Sequence, residues 1–165
     1  ATWRPADQTW HIQGQKPFRH GTKKSIPVPA DYDGDGRVEP AVYRTDNHTF
    51  YISEIANLPL GQAGDIPVPA DYNGDGKIEI AVYRPVSGEW IIDRQDTVVL
   101  GGTPGDIPVP GAYEEAGKVR PAVYNMQTGL LRLESGKKLQ MGKGSVEQVV
   151  NLPFPIRQYI LDSRK

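Results

Sequence analysis

Cysteine is absent from the 165 residues, which removes disulfides, thiol nucleophiles and thiolate-ligated zinc. Secretion stays open, because a domain stapled by metal ions can do without disulfides. Long apolar runs are lacking: nothing approaches the ~20 consecutive apolar residues of a membrane helix, so no membrane insertion is expected. An excess of one charge is lacking too. The formal net charge is −1, too small to draw the chain to nucleic acid or an anionic bilayer, and no nucleic-acid partner is expected. No signal peptide opens the chain, which equally fits a mature protein already processed. No long 3.6-residue apolar period survives the prolines, so no helix is expected.

Glycine and proline are abundant instead, at 18 and 15 residues, about twice the average share. They recur at fixed intervals between short runs of Val, Ile, Tyr and Trp. Short strands broken by regular turn signals indicate a sandwich, barrel or propeller rather than disorder.

The intervals come from a repeat. Residues 26–44 read IPVPADYDGDGRVEPAVYR, residues 66–84 IPVPADYNGDGKIEIAVYR, and residues 107–125 IPVPGAYEEAGKVRPAVYN, with starts 40 and 41 residues apart. Each copy continues into an apolar strand (TFYI at 49–52, EWII at 89–92, LLRL at 130–133) and closes on a strand ending in glycine (58–61, 98–101, 139–142). Four short antiparallel strands in about 40 residues is the size of a propeller blade. Pro27 and Pro29 remove ladder donors at alternate positions, which suits a strand with one unpaired side or a twisted inner strand.

The whole units span residues 26–65, 66–106 and 107–145. Residues 1–25 form a partial unit that starts at a second strand, since WRPADQTWHI at 3–12 aligns with YRPVSGEWII at 83–92. Residues 146–165 supply a closing strand and a tail, with VEQVVNL at 146–152 standing where the next first strand is due. The expected fold is all-β, a single β-propeller domain over residues 1–165 of four antiparallel blades, closed by the N- and C-terminal strands. The alternatives are part of a larger ring of about seven blades, or a ring shared by two chains.

The loops between first and second strands carry the chemistry. Residues 31–39 read D-x-D-x-D-G-x-x-E, and alternating carboxylates on a tight loop turn their oxygens to one centre. Ca²⁺ is a hard cation that takes six to eight oxygens, and a glycine after the third ligand permits the sharp turn. Asp31, Asp33 and Asp35, the carbonyl of Arg37 and the carboxylate of Glu39 are the expected ligands. The second copy offers Asp71, Asn73, Asp75, the Lys77 carbonyl and Glu79, with a neutral amide at Asn73. In the third, Ala112, Glu114, Ala116 and Arg120 replace Asp31, Asp33, Asp35 and Glu39; no metal is expected there, and Arg120 beside Glu114 or Glu115 would supply the positive charge. Two Ca²⁺ are expected, in preference to Mg²⁺, which keeps more water.

The unit IPVPADYDGDGxxExAVYR resembles the FG-GAP or VCBS-type repeat, related to the calcium-bearing repeats of integrin α-chain propellers. The resemblance covers residues 26–142 and, by half a unit, 1–25; the last 20 residues match poorly. It implies a β-propeller, usually seven-bladed, that is secreted, periplasmic or at a cell surface and used for adhesion, ligand binding or as an accessory domain. This chain has units for about four blades and a degenerate third loop.

Outside the loops the recurring residues are Trp3, Tyr43, Tyr83 and Tyr124, then Trp10, Phe50 and Trp90, and the arginines Arg4, Arg44 and Arg84. The aromatics suit packing of one blade on the next. Arg4, Arg44, Arg84, Trp10 and Trp90 are the candidate contacts for a ligand held between blades. His11, His20 and His48 fall at unrelated places, and no acid pair or nucleophile with its base stands outside the loops. The expectation is a non-enzymatic interaction or adhesion module binding a protein or glycan, monomeric unless the ring is shared. A lectin with sites between blades and an accessory domain of a secreted enzyme are the alternatives. Asn47-His48-Thr49 forms a glycosylation sequon, and the apolar tail 153–161 is expected to dock on the propeller.

Overall fold

The computed structural model describes residues 2–114 and 117–141. Within them the chain forms four antiparallel sheets and no helix, so none is long and apolar enough to cross a membrane. The first sheet joins β1 (Thr2–Arg4), β2 (Thr9–His11) and β3 (Phe18–Arg19). The second runs β4 (Ser25–Pro27), β5 (Ala41–Arg44), β6 (Thr49–Ile52) and β7 (Ala56–Pro59). The third runs β8 (Ile66–Pro67), β9 (Ala81–Arg84), β10 (Glu89–Ile92) and β11 (Val98–Val99). The fourth runs β12 (Asp106–Pro108), β13 (Ala122–Asn125), β14 (Leu130–Leu133) and β15 (Lys138–Gln140). Neighbours in sequence are neighbours in each sheet, as short hairpin connections require.

The prolines explain the edge. Val28 N–H donates to Ala41 O at 2.9 Å, and Val68 and Val109 do the same to Ala81 and Ala122 at 2.8 Å. Pro27 and Pro29 occupy the alternate positions, whose missing donors face the open side of the strand. An edge strand is the one place where such a pattern costs no ladder bond. The unpaired-side expectation is met in all three copies.

The second strand of each whole unit is buried on both faces: Ala41, Val42 and Tyr43, like Ala81, Val82 and Tyr83, are fully enclosed. The third strand alternates, with Phe50 and Ile52, Trp90 and Ile92, Leu131 and Leu133 turned inward. Tyr43 meets Phe50 at 4.7 Å between ring centroids, and Tyr83 meets Trp90 at 5.0 Å. Successive sheets share their cores: Ile80 and Val82 of the third pack with Val28, Tyr43 and Phe50 of the second. Ile107, Val109 and Val123 of the fourth pack with Val68, Tyr83 and Trp90 of the third.

The outer strand differs from its expected position in the second sheet. It pairs over Ala56–Pro59 and stops short of Gly61. Gly61 has φ 99°, and a Cβ there would stand 2.9 Å from the Tyr43 hydroxyl. Glycine therefore ends the unit because the buried tyrosine needs that space, with Gly101 beside Tyr83 repeating the arrangement. The expected closing strand at 146–152 and the tail lie outside the described residues.

Candidate metal centres

All three inter-strand loops are built on one frame. A two-residue bridge closes the base: Ala30 with Glu39, Ala70 with Glu79, Gly111 with Arg120. A tyrosine anchors the entry, with Tyr32, Tyr72 and Tyr113 donating their hydroxyls to the carbonyls of Val28, Val68 and Val109 at 2.6, 2.7 and 2.8 Å. Burial, with the neighbouring Glu39 or Glu79 charge adding to it, pushes the Tyr32 and Tyr72 hydroxyls well above the ordinary phenol range, so both remain neutral donors. Sequence reasoning passed over these tyrosines. Their signal was persistence in all three copies, the broken one included, which marks a part of the frame rather than a ligand.

In the first loop Asp31 accepts from Gly34 N at 2.6 Å through Oδ1 and from Gly36 N at 2.8 Å through Oδ2. Asp33 accepts from Asp35 N at 3.0 Å, Asp35 from Arg37 N at 2.8 Å, and Glu39 Oε2 from Tyr32 N at 2.7 Å. The backbone N–H groups thus wind the chain around its own carboxylates. Gly36, at φ 86°, makes the turn that lets Arg37 N point inward. Each carboxylate oxygen still has a lone pair free. One ligand oxygen from each of Asp31, Asp33, Asp35 and Glu39 lies within 4.8 Å of the others, so the group could hold a metal ion.

The second loop repeats the winding. Asp71 accepts from Gly74 N at 2.6 Å and Gly76 N at 2.9 Å, Asp75 from Lys77 N at 2.8 Å, and Glu79 from Tyr72 N at 2.8 Å. Asp71, Asp75 and Glu79 form the second acidic group within the same 4.8 Å limit. Asn73 lies among them, its Nδ2 donating to Asp75 Oδ2 at 3.1 Å and to Glu79 Oε1 at 2.8 Å. Partial burial raises the Glu79 carboxyl above the usual range, with the Asp75 and Asp71 charges adding to it and the Tyr72 and Asn73 N–H groups opposing it. The hydrogen bond from Lys77 N holds Asp75 below its usual range, with Asn73 assisting.

The donor chemistry fits a hard cation. Both loops gather carboxylate oxygens, with no imidazole or sulfur among them; at Asn73 the amide nitrogen, not its oxygen, faces the Asp75 and Glu79 carboxylates. Loops of adjacent units are tied together: Ile78 N donates to the Asp31 carbonyl at 3.0 Å, and Val119 N to that of Asp71 at 3.1 Å. In the third loop Arg120 pairs with Glu134 at 3.6 Å, across to the next turn of its own sheet. That partner replaces the expected Glu114; Glu115 and Ala116 lie outside the described residues.

The candidate ligand residues are dispersed. Trp10 and Trp90 are 2% and 0% exposed, with Trp90 Nε1 donating to Leu100 O; both rings belong to the core. Arg4 is solvent-exposed and pairs with Asp7. Arg44 pairs with Asp46 at 2.9 Å and lies over the Tyr51 ring. Arg84 bridges the buried Asp65 and Glu89. Two clefts open beside the intact loops instead. One of about 550 Å³ lies between Ile12 and Phe18 of the first sheet and the carboxylates of the first loop. Its counterpart of about 400 Å³ lies between Ile52 and Leu58 and the second loop.

No protein-family model, curated protein or solved structure matches the chain.

Proposed function

We propose that the chain is a calcium-binding, non-enzymatic interaction module of the FG-GAP or VCBS repeat type, working outside the cytoplasm. Asp31, Asp33, Asp35, the Arg37 carbonyl and Glu39 hold one ion; Asp71, Asn73, Asp75, the Lys77 carbonyl and Glu79 hold the other. The observation that carries this reading is the third loop. It keeps the closing bridge and the tyrosine anchor although Ala112, Ala116 and Arg120 replace three of the four acids, so bridge and anchor do not need those three. Carboxylates that the fold does not need, gathered within 4.8 Å on two copies of that frame, repel one another unless a cation lies between them. Calorimetric titration tests the reading: two Ca²⁺ per chain are expected, and zero would end it.

The four sheets are the blades of one propeller in this reading. Among the described residues the first sheet has three strands where the others have four, which leaves room beside β1 for one more, and the ring closes as a monomer. A glycan-binding role is the second reading. The clefts beside the intact loops favour it, since each sets apolar side chains against a metal loop at a volume suited to a small ligand. A glycan array with and without Ca²⁺ separates the two readings.

A further inference from the structure

The chain contains a single Asn-Gly pair, Asn73–Gly74, on the exposed part of the second loop. Four hydrogen bonds converge on its Gly74 nitrogen and Asn73 side chain. Gly74 N donates to Asp71 Oδ1 at 2.6 Å. Asn73 Oδ1 accepts from Asp75 N at 2.7 Å. Asn73 Nδ2 is oriented by Asp75 and Glu79 at 3.1 and 2.8 Å. In chemical terms these are a carboxylate on the nitrogen next to an amide and an N–H on the amide's oxygen, while the acceptors on Nδ2 fix which way the amide faces.

We propose that Asn73 is a self-modifying residue, converted to aspartate or isoaspartate by attack of the Gly74 nitrogen with Asp71 as the base. As the nitrogen bonds to Asn73 Cγ, the Asp71 carboxylate takes its proton. Negative charge develops on Asn73 Oδ1, where Asp75 N–H meets it. The Cγ–Nδ2 bond then breaks, and the proton is returned through water to Nδ2, which leaves as ammonia. The resulting succinimide is opened by water at either carbonyl, giving aspartate or isoaspartate at position 73. No oxidant or further reactant is needed. Gly74 carries no side chain to crowd the approach. The other asparagines, Asn47, Asn57, Asn125 and Asn151, precede His, Leu, Met and Leu, whose side chains hinder it.

The first loop displays the product's place. Asp33 occupies the equivalent position and accepts from Asp35 N at 3.0 Å, while Asp31 accepts from Gly34 N at 2.6 Å. An aspartate at 73 therefore meets the same frame and completes the carboxylate set of the first loop. That this sharpens ion binding rests on the calcium reading; the modification itself does not.

The test is peptide mass spectrometry of the purified chain, incubated with a chelator at mildly alkaline pH. The amide-to-acid mass gain is expected at Asn73 ahead of Asn47, Asn57 and Asn125, and several-fold faster than in a synthetic peptide of residues 68–80. Asp71→Ala and Gly74→Ala should each slow it several-fold. A persistent amide at Asn73, or a native-chain rate no greater than the peptide's, overturns the proposal. Since Asp71→Ala also loosens the loop, the peptide comparison, which uses the unaltered chain, decides independently. The readout contains no calcium, so a failure to bind calcium would leave its result standing.

Discussion

The second and third loops share a bridge and a tyrosine anchor, yet one gathers three carboxylates and an amide while the other ends on an arginine. Asp71, Asp75 and Glu79 lie within 4.8 Å of one another; at the closing position of the third loop, Arg120 turns away to Glu134. Keeping the backbone while exchanging the charge separates two jobs that the intact loops combine. Bridge and tyrosine make the loop, and the gathered carboxylates make the group that could hold an ion. A family of loops in which every copy kept its acids could not have separated them.

The largest expected effect is a change in stoichiometry. Replacing Ala112, Ala116 and Arg120 by Asp, Asp and Glu should raise the number of bound Ca²⁺ from two to three. Asp71→Ala with Glu79→Arg should lower it to one. Ion counting by native mass spectrometry checks both, and unchanged counts would break the division of labour.

Removing the metal comes next. A ligand bound only by the folded state adds about 2.7 kcal/mol at a hundredfold excess over Kd, which for a chain of this size corresponds to several degrees of melting temperature per site. Chelation should lower the midpoint while leaving the β circular dichroism intact, because the Tyr43–Phe50 and Tyr83–Trp90 packing involves no ion. A variant carrying Glu39→Arg and Glu79→Arg should melt at one temperature with or without chelator. A remaining calcium response would place the ions elsewhere.

Smaller is the tyrosine effect. Tyr72→Phe leaves the Val68 carbonyl without its donor and should cost about 1–3 kcal/mol by denaturant unfolding. Tyr113→Phe should cost a comparable amount although its loop holds no ion. The more exposed setting of Tyr113 puts it at the lower end. Neither change should alter ion stoichiometry. A loss of calcium on Tyr72→Phe with full stability retained would mean that the tyrosine serves the site and not the frame.

The smallest effect separates the first loop from the second. Asn73→Asp should tighten the second site a few-fold and Asp33→Asn should weaken the first, since ligand charge tunes affinity in such loops. Site-resolved titration by NMR reads both. Equal affinities indifferent to either change would refute the ranking.

Much of this arrangement was legible in the residues. The period of 40 and 41 residues located the strands, the Pro27 and Pro29 alternation marked the edge, and the spacing of Asp31, Asp33, Asp35 and Glu39 marked a gathered group. What was not legible depends on partners distant in sequence. The outer strand of the second sheet stops before Gly61 because Tyr43, 18 residues earlier in the chain, fills the space. Arg120 finds Glu134 across the sheet rather than Glu114 beside it. Trp10 and Trp90 are consumed by the core, and an alternating strand does not reveal which of its faces a neighbouring sheet will cover. Asn73 reads as a weak ligand in sequence; only the hydrogen bonds around it reveal a poised amide.

The central claim is that the carboxylates of the first two loops exist for an ion and the frame does not need them. A crystal structure grown with calcium tests it most directly, through the anomalous difference map. The account predicts one peak inside the Asp31 loop, one inside the Asp71 loop and none in the loop closed by Gly111 and Arg120. Empty first and second loops at saturating calcium would contradict it.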